Sequence, residues 1–275
     1  MNLFCTELYK YFQSRKVVKL ITGIDNLSVS NILSMAKAAE LSGVTYLDVV
    51  ANTKVVRLLK SISYLPICVS SISPIELYNC VIAGADLVEI GNFDFCYKQG
   101  IYLTSSEILN LAKEVRFLVG DIDICVTIPY YMSFQEQINL AQDLEFLGIN
   151  ILQTESVFTK NKSAASSLFN NNIFNYLYPS CSSLLSTYII SSQVQLPVIA
   201  SSSINHLSSN LALSLGASGV GISSIVKQQG DILQIVKYLK SFSHLVNSTD
   251  FKTFSKFSHG SMDLFYHVID SEIVV

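Results

Sequence analysis

Apolar residues in this chain fall into short β-branched and aliphatic runs. Between the runs lie longer stretches in which apolar positions recur at helical spacing. Eight runs read as strands: VVKLIT from Val17, YLDVVA from Tyr46, PICVSS from Pro66, LVEIGN from Leu87, DICVTI from Asp123, NILQTE from Asn150, PVIASS from Pro197 and GVGISS from Gly219. The 3.6-residue period predicts helices over 31–41, 53–61, 74–83, 106–118, 134–147, 183–192, 207–215 and 232–245. Ser73 followed by Pro74 has the form of a helix cap with proline at the first helical position. Gly43, Gly84, Gly148 and Gly216 each follow an apolar-periodic run, where a left-handed C-terminal cap favours glycine.

The phrases LSGVTYLDV, IAGADLVEI, FLGINILQT and SLGASGVGI repeat one unit: helix end, glycine, short turn, strand. Eight such strand–helix units predict an α/β fold, a (β/α)8 TIM barrel over residues 1–246. The rival, a doubly wound open sheet, has no composition break to support it. Residues 247–275 read as a C-terminal extension outside the repeat. The strands are apolar on both faces, as parallel strands covered by helices must be, and this accounts for a mean hydropathy of +0.41. The apolar runs are far shorter than the roughly 18 residues of a membrane span.

Strand alternation decides which side chains enter the barrel. Val18 and Leu20 belong to the helix-facing side of the first strand, which turns Lys19, Ile21 and Gly23 inward. The same parity places Asp48, Glu89, Gly91, Cys125, Thr127, Gln153 and Glu155 in the lumen. A lysine among three carboxyl groups must pair, bind ligand or shift its pKa. Lys19, Asp48, Glu89 and Glu155 are therefore the catalytic candidates. Lys19 could act as electrophile, Schiff-base donor or anion ligand, and a carboxylate as general base. The alternative is a structural ion-pair network low in the barrel. Glu155, at the end of its strand, stands where barrel active sites sit.

LGASGVGISSIV, from Leu215, is the eighth strand with its flanks. The loops after the seventh and eighth strands are the usual phosphate site of such barrels. Backbone N–H groups there predict an anion between Ser201, Ser202, Ser203 and Ser223, Ser224. Other residues at this face are Asp25, Asn26, Asn52, Ser70, Ser71, Asn92, Asp94, Pro129 and Tyr130, most of them turn formers. The segment 156–180, rich in Ser and Asn, is long for a strand-to-helix loop and reads as a lid or an insertion.

Net charge is −3 and only 14% of residues are charged, so the electrostatic footprint of a nucleic-acid binder is missing. Four late histidines without HxxxH or HxH spacing point to no metal site, and His206 reads as a neighbour of a helix cap. Six scattered cysteines read as reduced, mostly buried thiols. The N-terminus has the pattern of neither a secretory signal nor a transit peptide. No residue pattern names a cofactor or an oligomeric state. The expected partner is a small-molecule ligand, phosphorylated if the serine loops bind an anion, with no nucleic acid and no membrane.

The phrases VVKLITGIDN, LPICVSSISP, AGADLVEIGNFDFCYKQG, VTIPYYMSFQEQINLAQDLEFLGINILQTE, TYIISSQVQLPVIASSSI and LGASGVGISSIV resemble the hypothetical chloroplast reading frame twenty-three family of plastids and cyanobacteria. The resemblance spans about residues 17–246. It implies a barrel fold and a plastid-encoded, stromal protein, and it brings no reaction and no catalytic residues. This chain has serine where relatives carry glycine in ASGLS and GVGSAV, a departure that bears on the anion site. Two functions remain: an enzyme acting on a phosphorylated metabolite, of lyase, isomerase or synthase type, or a non-catalytic regulatory barrel that binds a metabolite or partner.

Overall fold

Eight parallel strands close on themselves in sequence order in a computed structural model that describes residues 2–23, 26, 28–91, 93–156, 177–223, 226 and 231–248. The strands are β1 (Val17–Ile21), β2 (Tyr46–Val50), β3 (Ile67–Ser70), β4 (Leu87–Ile90), β5 (Asp123–Ile128), β6 (Ile151–Thr154), β7 (Val198–Ala200) and β8 (Gly219–Ile222). The helices are α1 (Thr6–Gln13), α2 (Val29–Glu40), α3 (Thr53–Ile62), α4 (Pro74–Ile82), α5 (Asp94–Lys98), α6 (Ser105–Val119), α7 (Phe134–Phe146), α8 (Cys181–Ser191), α9 (His206–Ser214) and α10 (Ile232–Ser248). The closed barrel is the predicted architecture, and α10 runs on to Ser248, past the expected end of the repeat.

The helices start where short polar side chains can take up the orphan N–H groups of a first turn. Ser28, Asn52, Ser73, Thr104, Ser133 and Asn205 each accept from a backbone N–H in this way. The capping glycines Gly43, Gly84, Gly148 and Gly216 all take positive φ, as their positions predict. Closure between β8 and β1 depends on Gly219. A Cβ there would stand 2.3 Å from the Cβ of Val17, so only glycine lets the first and last strands meet.

Buried apolar residues divide into two clusters along the predicted parity. Val18, Leu20, Leu47, Val49, Val88, Ile90, Ile124, Val126 and Leu152 pack outward against the helices. Val17, Tyr46, Cys68, Leu87, Cys125, Ile151 and Ile199 pack inside the barrel with Leu8 and Phe12 of α1. The sequence reading assigned no helix before β1 or between β4 and α6, so α1 and α5 are additions to it. α1 plugs the N-terminal end of the barrel. Asp123, fully buried at the start of β5, holds it by accepting from the N–H groups of Phe4 (3.0 Å) and Cys5 (2.8 Å).

Candidate functional site at the C-terminal half of the lumen

The polar lumen has two levels. On the lower one, the Lys19 ammonium lies 3.0 Å from Asp48 Oδ2, pairs closely with Glu89 Oε2 and donates to Gln153 Oε1 at 2.9 Å. Gln153 Nε2 donates to Glu89 Oε1 at 2.7 Å and to Thr127 Oγ1 at 3.2 Å. Thr127 Oγ1 in turn donates to Glu89 Oε1 at 3.0 Å, and Ser70 donates its hydroxyl to Asp48. All six side chains are buried, and Lys19 and Glu89 are fully enclosed. Parity alone had placed Lys19, Asp48 and Glu89 together, and the structure brings them together.

Burial by itself would discharge the Lys19 ammonium, but Asp48 and Glu89 more than reverse this and hold its pKa well above the ordinary lysine value. Burial pushes the Asp48 carboxyl up to about 6 against the opposing pull of Lys19, with Glu89 adding to the rise and the Ser70 hydrogen bond opposing it. Oxygen and sulfur atoms of Asp48, Cys68 and Glu89 lie within 4.8 Å of one another, close enough to hold a cation. The Lys19 ammonium supplies that positive charge.

Glu155 forms the upper level, one inward step beyond Gln153. It lies just past β6 and is 6% exposed. Its Oε1 accepts from the Tyr97 hydroxyl and, at 3.2 Å, from the Tyr130 backbone N–H. Its Oε2 has no hydrogen-bond partner among the described residues. No cation among the described residues pairs with this carboxyl. Burial pushes its pKa up to about 8, the two donors oppose the rise, and Asp94 and Glu89 add to it. The raised pKa favours the protonated form of this carboxyl, with Oε1 clamped and Oε2 unpartnered among the described residues.

Tyr97, on the short helix α5, is the residue that strand parity did not bring into view. Its ring stacks on Tyr102 with centroids 5.3 Å apart and meets Tyr130 and Tyr131 edge-on at 5.5 and 5.7 Å. Tyr131 is anchored in turn by its hydroxyl, which donates to the Leu103 carbonyl. The sequence signal was the aromatic run of NFDFCYKQG together with Pro129–Tyr130–Tyr131, but side-chain alternation says nothing about loops.

The serine loops leave β7 and β8 side by side, with Ile199 paired to Gly219 and Ala200 to Val220. A Cβ on Gly221 would lie 3.0 Å from Ser201 Oγ, so the two strand ends are in contact. Ser201 is buried, while Ser202, Ser203 and Ser223 are partly exposed. Ser202 and Ser203 hold φ of +66° and +59°, a left-handed conformation natural to glycine. Ser224 lies outside the described residues, as do Asp25, Asn92, the interior of the 156–180 segment and the extension beyond Ser248. At one base of that segment, Ser156 donates its hydroxyl to the Pro179 carbonyl at 2.6 Å.

Other residues noted in the sequence make local hydrogen bonds. Asn52 caps α3, Ser71 donates to Glu76, and His206, the first residue of α9, shares a hydrogen bond with Ser241. No helix among the described residues is long and apolar enough to cross a membrane.

The family model described as "Protein of unknown function (DUF561)" matches residues 4–252, and the chain belongs to that family. "Uncharacterized protein ycf23" of the red alga Antithamnion sp. is 47% identical over 242 residues, covering 87% of each chain. Relatives of this designation are products of plastid reading frames, and this is a plastid protein. Among solved structures, thiamine phosphate pyrophosphorylase from Pyrococcus furiosus superposes with a TM-score of 0.54 at 18% identity, covering 84% of this chain and 97% of that one. A truncated 3-deoxy-D-arabino-heptulosonate 7-phosphate synthase from Thermotoga maritima gives 0.53 at 14% identity, covering 89% and 87%. At such identities these likenesses show the fold alone, a barrel resembling phosphate-sugar metabolic enzymes.

Proposed function

We propose that this member of the family is a stromal enzyme of the isomerase, lyase or synthase type, acting on a small phosphorylated metabolite at the C-terminal mouth of the barrel. The observation that carries the reading is Glu155: a buried carboxyl with no cation and no Oε2 partner among the described residues, one strand away from the serine loop after β7. A carboxyl held protonated near neutral pH is suited to general acid catalysis. In this reading Glu155 hands a proton to the ligand and takes one back. Backbone N–H groups and hydroxyls of Ser201–Ser203 and Ser223 hold the phosphate. Lys19, Asp48 and Glu89 form a fixed polar floor beneath the reacting atoms. A charged ammonium has no lone pair to offer a carbonyl, so Lys19 serves as an electrostatic group and not as a Schiff-base donor. The fold neighbours that act on phosphorylated compounds support the substrate class by analogy.

The test is thermal denaturation with inorganic phosphate and with glycerol phosphate at millimolar concentration. The wild type is expected to melt higher by about 2–4 °C for each kcal/mol of linked binding. Ser223→Glu, which puts a negative charge in the cradle, is expected to lose the rise. An absent rise, or an equal rise in Ser223→Glu, removes the anion site from this position.

A partner-binding barrel is the second reading. It draws on Ile62, Ile82, Phe117 and Phe146, exposed at or near the C-terminal ends of α3, α4, α6 and α7, which is the face opposite Glu155.

A further inference from the structure

We propose that Tyr97 is a positioning residue for Glu155: its hydroxyl and the Tyr130 N–H clamp Oε1, leaving Oε2 as the oxygen that passes the proton to the ligand. This rests on the reading of Glu155 as the proton donor of the site. The geometry is specific. Two donors converge on one carboxyl oxygen, and the other oxygen has no partner among the described residues. With Oε1 already accepting twice, the carboxyl proton belongs on Oε2.

Tyr97 is itself fixed. It is 5% exposed, stacked on Tyr102 and flanked edge-on by Tyr130 and Tyr131, so its hydroxyl cannot follow a drifting carboxyl. In the transfer, the Oε2–H bond breaks, the proton bonds to the ligand atom, and the electron pair stays on the carboxylate. The new carboxylate keeps both Oε1 donors. Tyr97 retains its own proton throughout, because burial and the neighbouring Glu155 raise its phenol pKa. Charged and titratable groups around Glu155 are Asp94 and Tyr97 on α5, Glu89 on β4, and Tyr130 and Tyr131 after β5. Asp94 and Glu89 oppose ionisation, so Tyr97 and the Tyr130 N–H are the groups that favour it.

The experiment is a carbon-13 NMR titration of the full chain labelled at glutamate carboxyls, with Glu155→Gln identifying the resonance. It needs no ligand. Tyr97→Phe keeps the ring and removes one donor from the charged form, so the Glu155 midpoint is expected to move up from about 8 by about one unit. Tyr131→Phe perturbs the same aromatic cluster without touching the carboxyl and is expected to leave the midpoint in place. A fluorinated tyrosine at position 97 is a stronger donor of nearly the same shape. It is expected to lower the midpoint, and it provides the measurement if Tyr97→Phe does not fold. A midpoint unmoved by either change at position 97, or moved equally by Tyr131→Phe, overturns the assignment. Phosphate binding at the serine loops is read separately, so failure here leaves that reading intact, and failure there leaves the titration interpretable.

Discussion

Gln153 and Glu155 are successive inward residues of one strand, and the levels they belong to have opposite electrostatics. Below, Lys19 meets Asp48 and Glu89, and Gln153 and Thr127 bridge the remaining lone pairs. Above, Glu155 has two neutral donors on one oxygen and no cation among the described residues. Enclosure is nearly the same on both levels, so burial does not separate them. Compensation does. A buried charge that is paired and bridged resists change of state, whereas a buried carboxyl without a counter-ion stays poised to trade its proton near pH 7. The contrast separates a charge-balanced network from a carboxyl held by neutral donors among side chains of the same chemical type.

The strongest way to break this comparison is to remove the cation. Lys19→Met leaves two enclosed carboxyl groups uncompensated and is expected to cost about 3–5 kcal/mol in urea denaturation at neutral pH. Adding Asp48→Asn and Glu89→Gln is expected to restore much of that loss. A cost below about 1 kcal/mol for Lys19→Met would mean that the lower level is not held by charge balance.

The upper level is sharpened by pH. The Glu155 carboxyl ionises near 4.5 when unfolded and near 8 when folded, so the folded state holds an extra proton between these values. Stability from this group is full below pH 4.5 and is lost as pH rises through 8. Glu155→Gln removes that dependence and is expected to exceed the wild type above pH 8 by on the order of 5 kcal/mol. Asp48 titrates in both proteins, so the difference between their stability–pH curves isolates Glu155. Parallel curves would show that Glu155 is ionised like an ordinary carboxylate.

A smaller effect belongs to the serine loop. Ser202→Gly and Ser203→Gly relieve positive φ at two non-glycine residues and are each expected to gain up to about 1 kcal/mol in thermal or urea unfolding. A loss in either case would mean that the hydroxyl contributes more than the backbone conformation costs.

The barrel and its lower level were legible because both are periodic. Alternation along β1, β2, β4 and β6 is enough to turn Lys19, Asp48, Glu89 and Gln153 inward, and closure in sequence order brings them together. The same rule put Glu155 in the lumen. It could not supply Tyr97, because α5 has only five residues and sits between periods. Nor did it supply α1, whose buried face is only Leu8 and Phe12 and whose anchor is Asp123. The serine loops were located by topology, but their positive φ values belong to backbone geometry that side-chain pattern does not encode.

The plug at the base of the barrel has a consequence for synthesis. Phe4 is made early, yet the carboxyl that anchors it lies 119 residues further along the chain. β1 waits longer still, since Val17 pairs with Gly219, roughly 200 residues downstream. At about 5–20 residues per second, ribosomal elongation would leave the first strand without its closing partner for roughly 10–40 s. During that interval α1 has no lumen to fill, and both outer strands of the growing sheet are open to pairing with other chains. The edges of a nascent barrel of this build therefore stay unpaired until its last strand is released.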